Sequence, residues 1–447
     1  MSQSDLLNIL SDLIADAKKA GADAADAIVA DGTSVSVTYR LGKLEQLERS
    51  EGGDIGLRVL IGKRQAIVSS ADRSKEALRE LVERAVAMAR TVPEDPFCGI
   101  ADPSQLAKTL PTLDICDPTE VSAATLIERV KACEAAALAV KGVTNSEGAS
   151  ASWGMSQVAI AASNGFARAY ESSGSSMSVS VIAGESESGM ETDYDYTSAV
   201  YFADLKTPEE VGRGAGARAV RKLGGRKVSS RKVPVIFDAR VARGMVSHFI
   251  GAINGSSIAR GTSFLKDAMG TAVFGTGINI FEDPHRNRGL RSKPCDAEGL
   301  PNKARALIDK GMLTTWILDL RAARQLQLEP TGHAARGTGS PPGPSATNVW
   351  LEAGTETPAA LMADIKDGLF ITDLVGQGVN GVTGDYSRGA VGFWIENGQI
   401  TYPVHEVTIA GNLKDMFKQL TPANDLERRY GIDAPSLRID GLTLAGM

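Results

Sequence analysis

Cysteine and histidine are both scarce in this chain, with four of each in 447 residues. Cys98, Cys116, Cys133 and Cys295 form no CxxC pair and no metal-like spacing, which excludes a zinc ribbon or a disulfide framework. Buried reduced thiols in a reducing compartment are the expectation. Positive charge is not in excess: the net charge of −6 leaves no basic footprint for nucleic acid. No stretch approaches the run of about 18 apolar residues that a membrane-spanning helix needs. Residues 1–10 lack the basic start and apolar core of a signal peptide, so a cytoplasmic location is expected.

The length predicts two or three domains, and 43% hydrophobic with 23% charged residues is ordinary for a globular protein. Ser4 can cap a first helix carrying Leu6, Leu7, Leu10, Leu13, Ile14 and Ala17 at helical spacing, stopped by Gly21. Short strands are predicted at 25–29, 35–40 and 43–51, with Gly52-Gly53-Asp54 turning into 56–61 and Gly62-Lys63 turning into 64–69. Asp72 or Ser74 opens a second helix to about 90, and 91–111 is a proline-punctuated connector. The same grammar then returns: a helix over about 120–140, strands near 143–152, 157–162, 166–173 and 176–183, and a helix from Pro208 capped by Thr207 with Glu210 in capping-box position. Asn164-Gly165 marks a hairpin between two of those strands. Helix, meander, helix twice over divides an N-terminal α+β region, 1–228, into units at 1–95 and 115–225.

Two segments there mimic functional signals. Gly214 to Ala219 imitates a dinucleotide fingerprint but lies inside a helix with no strand before it, so close helix packing is the expected role. The acidic run 185–196 is expected to be a solvated loop, or else an acidic lip for a basic peptide. The basic stretch 221–232 is read as a linker to a glycine-punctuated, β-rich region over 232–447. Predicted strands there are 278–281, 304–308, 312–317 and 368–374, with helices over 318–328 and 358–365, a flexible loop at 337–344, and a hairpin of 392–395 with 399–403 around Glu396-Asn397-Gly398. The fold class is therefore α+β: helices packed on antiparallel sheets, then a β-rich half.

Residues 244–257 carry the functional question. They follow an apolar run, 233–237, and the N-cap residue Asp238, so a helix is predicted with Val241, Met245, His248, Phe249 and Ala252 on one stripe. His248 is then either a core histidine satisfied by one hydrogen bond or a metal ligand. A zinc-peptidase helix needs two imidazoles on one face and a carboxylate base. Phe249 follows the histidine, and no second histidine comes within two turns. Phenylalanine cannot take a proton from water.

The ordered series of 247–253, Thr331-Gly332-His333-Ala334, 384–390 (Gly-Asp-Tyr-Ser-Arg-Gly-Ala) and 409–415 (Ile-Ala-Gly-Asn-Leu-Lys-Asp) closely resembles the TldD/PmbA family of cytosolic bacterial and archaeal peptidases, in its PmbA (TldE) branch. The resemblance spans nearly the whole chain. It implies a TldD-like partner whose zinc helix has a His-Glu-x-x-x-His pattern, completed by a cysteine near its C-terminus. On that pattern His248 falls at the first histidine, Phe249 at the glutamate and Ile253 at the second histidine, and 427–447 contains no cysteine. The resemblance thus implies a non-catalytic subunit without a cofactor of its own, its zinc held by the partner, acting together on unfolded or modified peptides.

The remaining polar candidates for peptide binding are His333, Asp385, Arg388 and His405. His333 sits between a glycine and a flexible loop, where it can face a ligand or stabilise a turn. Asp385 and Arg388 are expected to pair with each other, or else Arg388 anchors a peptide carboxylate. His405 and Glu406 are adjacent in a strand and point to opposite faces, which disfavours a base with its orienting carboxylate. His285 is read as part of a polar surface loop. Two alternatives stay open: a stand-alone metallopeptidase whose ligands His248, His333 and His405, or some of them with carboxylates such as Asp385, converge in space, and a homodimeric peptide-binding protein without peptidase activity.

Overall fold

The computed structural model describes residues 2–186 and 189–446. Ser2, rather than Ser4, caps the first helix, α1 (Gln3–Lys19). Its hydroxyl accepts from the Asp5 N–H, and the Asp5 carboxylate reaches back to the Ser2 N–H. Leu6, Leu10, Leu13, Ile14 and Ala17 form its buried stripe. The second helix, α2 (Lys75–Thr91), is capped by Ser74 and buries Leu81, Val82, Ala85, Val86 and Ala89.

The expected short strands merge in pairs into long ones, β1 (Ala24–Arg40), β2 (Lys43–Ile61), β4 (Val143–Ala162) and β5 (Ala167–Glu185), while β3 (Arg64–Ser70) stands as predicted. Gly52 and Gly53 do not turn the chain. They lie within the β1–β2 ladder, opposite Gly32 and Asp31, and the Asp31 side chain occupies the space where a Gly53 Cβ would stand. Glycine here permits close approach inside a strand. Asn164-Gly165 does turn, with Gly165 at φ 94°.

The acidic run 185–196 is mostly strand rather than loop. It forms β6 (Gly189–Ala199), paired with β5, while Glu187 and Ser188 of that run lie outside the described residues. Its Asp193 is buried between Lys222 and Arg240, each at 2.8 Å. A charge run looks solvated when its partners are distant in sequence, as these are. The six strands form one antiparallel sheet, β3-β2-β1-β4-β5-β6, joined through β1 and β4. Ala25, Ala27 and Val29 of β1 meet α1 and α2. Val35 and Val37, on the same face by the period of two, meet α3 (Ala123–Leu138) and α4 (Pro208–Arg221). The capping box on Thr207 and Glu210 forms as predicted. Gly212 and Gly216 of α4 lie against α3 and Val140 with no room for a Cβ, so Gly216 has the packing role read from 214–219. The cysteines are unpaired thiols, three of them buried.

The C-terminal half is β-rich. β7 (Arg231–Phe237) runs parallel to Asp367–Val375 and antiparallel to Leu437–Ala445. The hairpin of Asp385–Glu396 with Gln399–Asn412 extends that sheet, turning through Asn397 and Gly398 at positive φ. Residues 408–410 also pair with 443–445, so the sheet closes on itself. A second, five-stranded sheet contains Ile280–Asp283, Arg305–Asp309 and Asn348–Leu351; the strand expected over 312–317 contributes only Met312–Leu313. The loop at 337–344 is anchored rather than free: Arg336 pairs with Asp26 of β1, and the Thr338 backbone packs over Gly56 of β2.

Candidate functional site

Helix α5 (Ala239–Ala252) begins where β7 ends. Asp238 caps it by accepting from the Arg240 N–H at 2.9 Å. Ala242, Met245, Val246, Phe249 and Ala252 face the core, which takes side chains from both C-terminal sheets. Phe249 has no exposed surface. Its ring lies edge-on to Phe274 and Phe417, at 5.2 and 6.2 Å between centroids. Ile253, at the helix C-cap, is equally buried. The two positions where the resemblance expects the base and the second zinc ligand are therefore apolar core.

His248 is neither of the two things its spacing suggested. It is half-buried at the margin of the stripe, with no hydrogen-bond partner among the described residues, and it lines a cavity of about 550 Å³ with Gly244, Ser247, Gln377 and Arg388. Its ring is edge-on to Tyr386, 6.0 Å away. Burial, and after it the Arg388 charge, push the imidazole below its usual value, so it is neutral at pH 7. The Tyr386 hydroxyl is buried with no hydrogen-bond partner among the described residues, and burial raises its pKa.

The other sequence candidates scatter. Asp385 and Arg388 do not pair: three residues apart on one strand, they point to opposite faces. Asp385 accepts from Thr383 (2.6 Å) and Asn412 (3.0 Å), while Arg388 donates to the Leu374 carbonyl and enters the His248 cavity. His333 does not face a ligand. It is 3% exposed, with Nε2 2.5 Å from Glu282 and Nδ1 2.7 Å from Thr331. His405 pairs with Glu191 at 3.0 Å and approaches the Lys222 carbonyl at 3.1 Å, sealing the linker; Glu406 turns away to Lys227. His285 is half-buried against Asn302. Among the described residues, the convergence of His248, His333 and His405, or of some of them with carboxylates, that a stand-alone metallopeptidase needs does not occur. Among the described residues no three His, Cys, Asp or Glu side chains are grouped to hold a metal, so the residues at α5 do not fit zinc.

What sequence reading missed is the cavity itself. Its one local signal is Gly244 and Gly251, seven residues apart beside Ser247 and His248, where an added Cβ would meet nothing within 4 Å. Gly244→Ala is accordingly expected to stabilise the protein by about 1 kcal/mol through helix propensity, read as a raised urea midpoint. A destabilised variant would mean that the wall of the cavity is closer than it stands here.

The chain also matches known sequences along its length. Residues 25–89, 116–223 and 230–446 match, in turn, domain 1, the central domain and the C-terminal domain described for PmbA/TldA metallopeptidases. It is 40% identical to metalloprotease PmbA of Escherichia coli over 95% of this chain and 92% of that one. To a PmbA homologue of Haemophilus influenzae it is 37% identical, covering 99% and 97%. A solved structure of TldE from Thermococcus kodakarensis superposes with a TM-score of 0.85 at 21% identity, covering 98% and 100%. A solved structure of a different protein, from Bacteroides thetaiotaomicron, gives 0.91 at 26% identity, covering 98% of each chain. Matches of this extent to all three domains, with the α5 helix at the head of the third, establish that the chain belongs to the TldD/PmbA family.

Proposed function

We propose that this chain is the non-catalytic, PmbA/TldE-like subunit of a cytoplasmic metallopeptidase of the TldD/TldE type. A TldD-like subunit holds the zinc and supplies the base, and the pair acts on unfolded or modified peptides. The observation that carries the reading is Phe249, which stands at the position of the base with no exposed surface in a cluster of phenylalanine rings. A proton acceptor at a metal-bound water must reach solvent or substrate, and this side chain reaches neither. Ile253 supports it in the same way.

Zinc per chain, measured by elemental mass spectrometry on protein purified alone without chelator or metal-affinity resin, tests the proposal. Far less than about one zinc per chain is expected, together with capture of a zinc-bearing TldD-like subunit in a pull-down. About one tightly held zinc, lost on His248→Ala, would place this chain among the catalysts instead.

A further inference from the structure

A second cavity, of about 470 Å³, adjoins the first and shares Gly244, Ser247 and Arg388 with it. Four arginines line it, Arg240, Arg243, Arg291 and Arg388, against the single carboxylate of Asp373. Asp373 is itself 3.7 Å from Lys222, and Arg240 is matched by Asp193. The other three arginines have no carboxylate within 4.0 Å among the described residues. Arg243 stands over the rings of Tyr196 and Tyr430 at 5.5 and 5.3 Å. Arg291 donates to the Ala346 carbonyl and Arg388 to the Leu374 carbonyl, and each keeps a buried Nε without a partner among the described residues.

Three guanidinium groups without a carboxylate partner line one recess, and fixed guanidinium forks suit a planar oxyanion. Beyond Gly244 the cleft continues into the His248 cavity. That part is lined by Gly251, Ala252, Phe264 and Val379 with the hydroxyls of Ser257 and Thr262, an apolar track with a few polar points. We infer that this cleft binds the C-terminal carboxylate of a peptide: Arg243, Arg291 and Arg388 hold the carboxylate, and the preceding residues lie along α5 towards His248. That the anion is carried by a peptide rests on the proposed function; the anion site does not.

Calorimetric titration of the full chain with an alanine-rich heptapeptide tests this, using the free acid, its C-terminal amide, and the amide carrying one internal glutamate. The free acid is expected to bind about tenfold tighter than either amide, and Arg388→Gln or Arg243→Gln to reduce it to the level of the amide. Arg243→Gln keeps the test open if Arg388→Gln fails to fold, because Arg243 stands over the rings of Tyr196 and Tyr430 and pairs with no carboxylate within 4.0 Å among the described residues. Equal binding of acid and amide would overturn the site. Recovery of affinity by the glutamate-bearing amide would overturn its assignment to a chain terminus. Displacement of the peptide by inorganic phosphate but not by acetate would overturn the carboxylate. If acid and amide bind alike while the chain stays zinc-free and captures its partner, this inference falls and the subunit reading stands. Tight zinc with acid-selective binding would give the reverse.

Discussion

Phe249→Glu unfolds the C-terminal half of the protein and creates no zinc peptidase: that is the expected result of placing a glutamate at this position. The side chain it replaces has no exposed surface and is packed edge-on against Phe274 and Phe417. Truncating a buried phenylalanine costs about 3–5 kcal/mol through lost transfer energy and the cavity left behind. Placing a carboxyl there adds an unsatisfied polar group at about 1–3 kcal/mol more. The sum approaches the whole stability of an ordinary domain, about 5–15 kcal/mol. Phe249→Leu keeps most of the volume and is expected to cost only about 1–2 kcal/mol. Urea unfolding followed by the fluorescence of Trp316 and Trp394, both buried in the same core, separates the two variants. A folded Phe249→Glu protein that takes up zinc would remove the basis of the non-catalytic reading.

The second large effect lies far from α5. Asp26→Ala is expected to cost about 3–5 kcal/mol, because it strands two buried cations. Asp26, Arg58 and Arg336 are almost fully enclosed; Arg58 Nε donates to one carboxylate oxygen at 2.8 Å, and Arg336 pairs with the other. Burial alone would raise the Asp26 pKa, but the two guanidinium charges hold it below the usual carboxylate range. A carboxylate depressed in the folded state contributes stability that is complete above its unfolded value, about 3.9, and is lost as pH falls through the folded one. The parent should therefore lose stability more steeply than Asp26→Ala below about pH 4, and the two should differ most at neutral pH. Because Arg336 leads into residues 337–344, proteolysis of that segment should accelerate in the variant. A change in the urea midpoint worth less than about 1 kcal/mol would mean that the triad is not what joins the β1–β2 ladder to the C-terminal half.

The local rules explain where sequence reading succeeded. Helix α4 was legible because Thr207 and Glu210 lie three residues apart in one turn, and the hairpin at Asn397-Gly398 because those two residues accept positive φ. Asp238 announced α5 for the same reason. Failures came wherever the partner was distant. Gly52 and Gly53 are turn residues to their neighbours but ladder residues once Asp31 and Gly32 lie opposite. Asp193 belongs to an acidic run until Lys222 and Arg240 enclose it.

By itself the sequence determined the α+β class, a helix opening at the Asp238 cap, and the family, and it placed Phe249 and Ile253 where the resemblance expects a base and a second ligand. Those conclusions need only residue identity and short spacings. Tertiary structure alone decided that His333 is enclosed by Glu282, that Asp385 and Arg388 part company, and that Arg243, Arg291 and Arg388 share one recess beside His248. The physical reason is that desolvation and charge pairing depend on three-dimensional neighbours, and here those neighbours come from segments up to hundreds of residues apart.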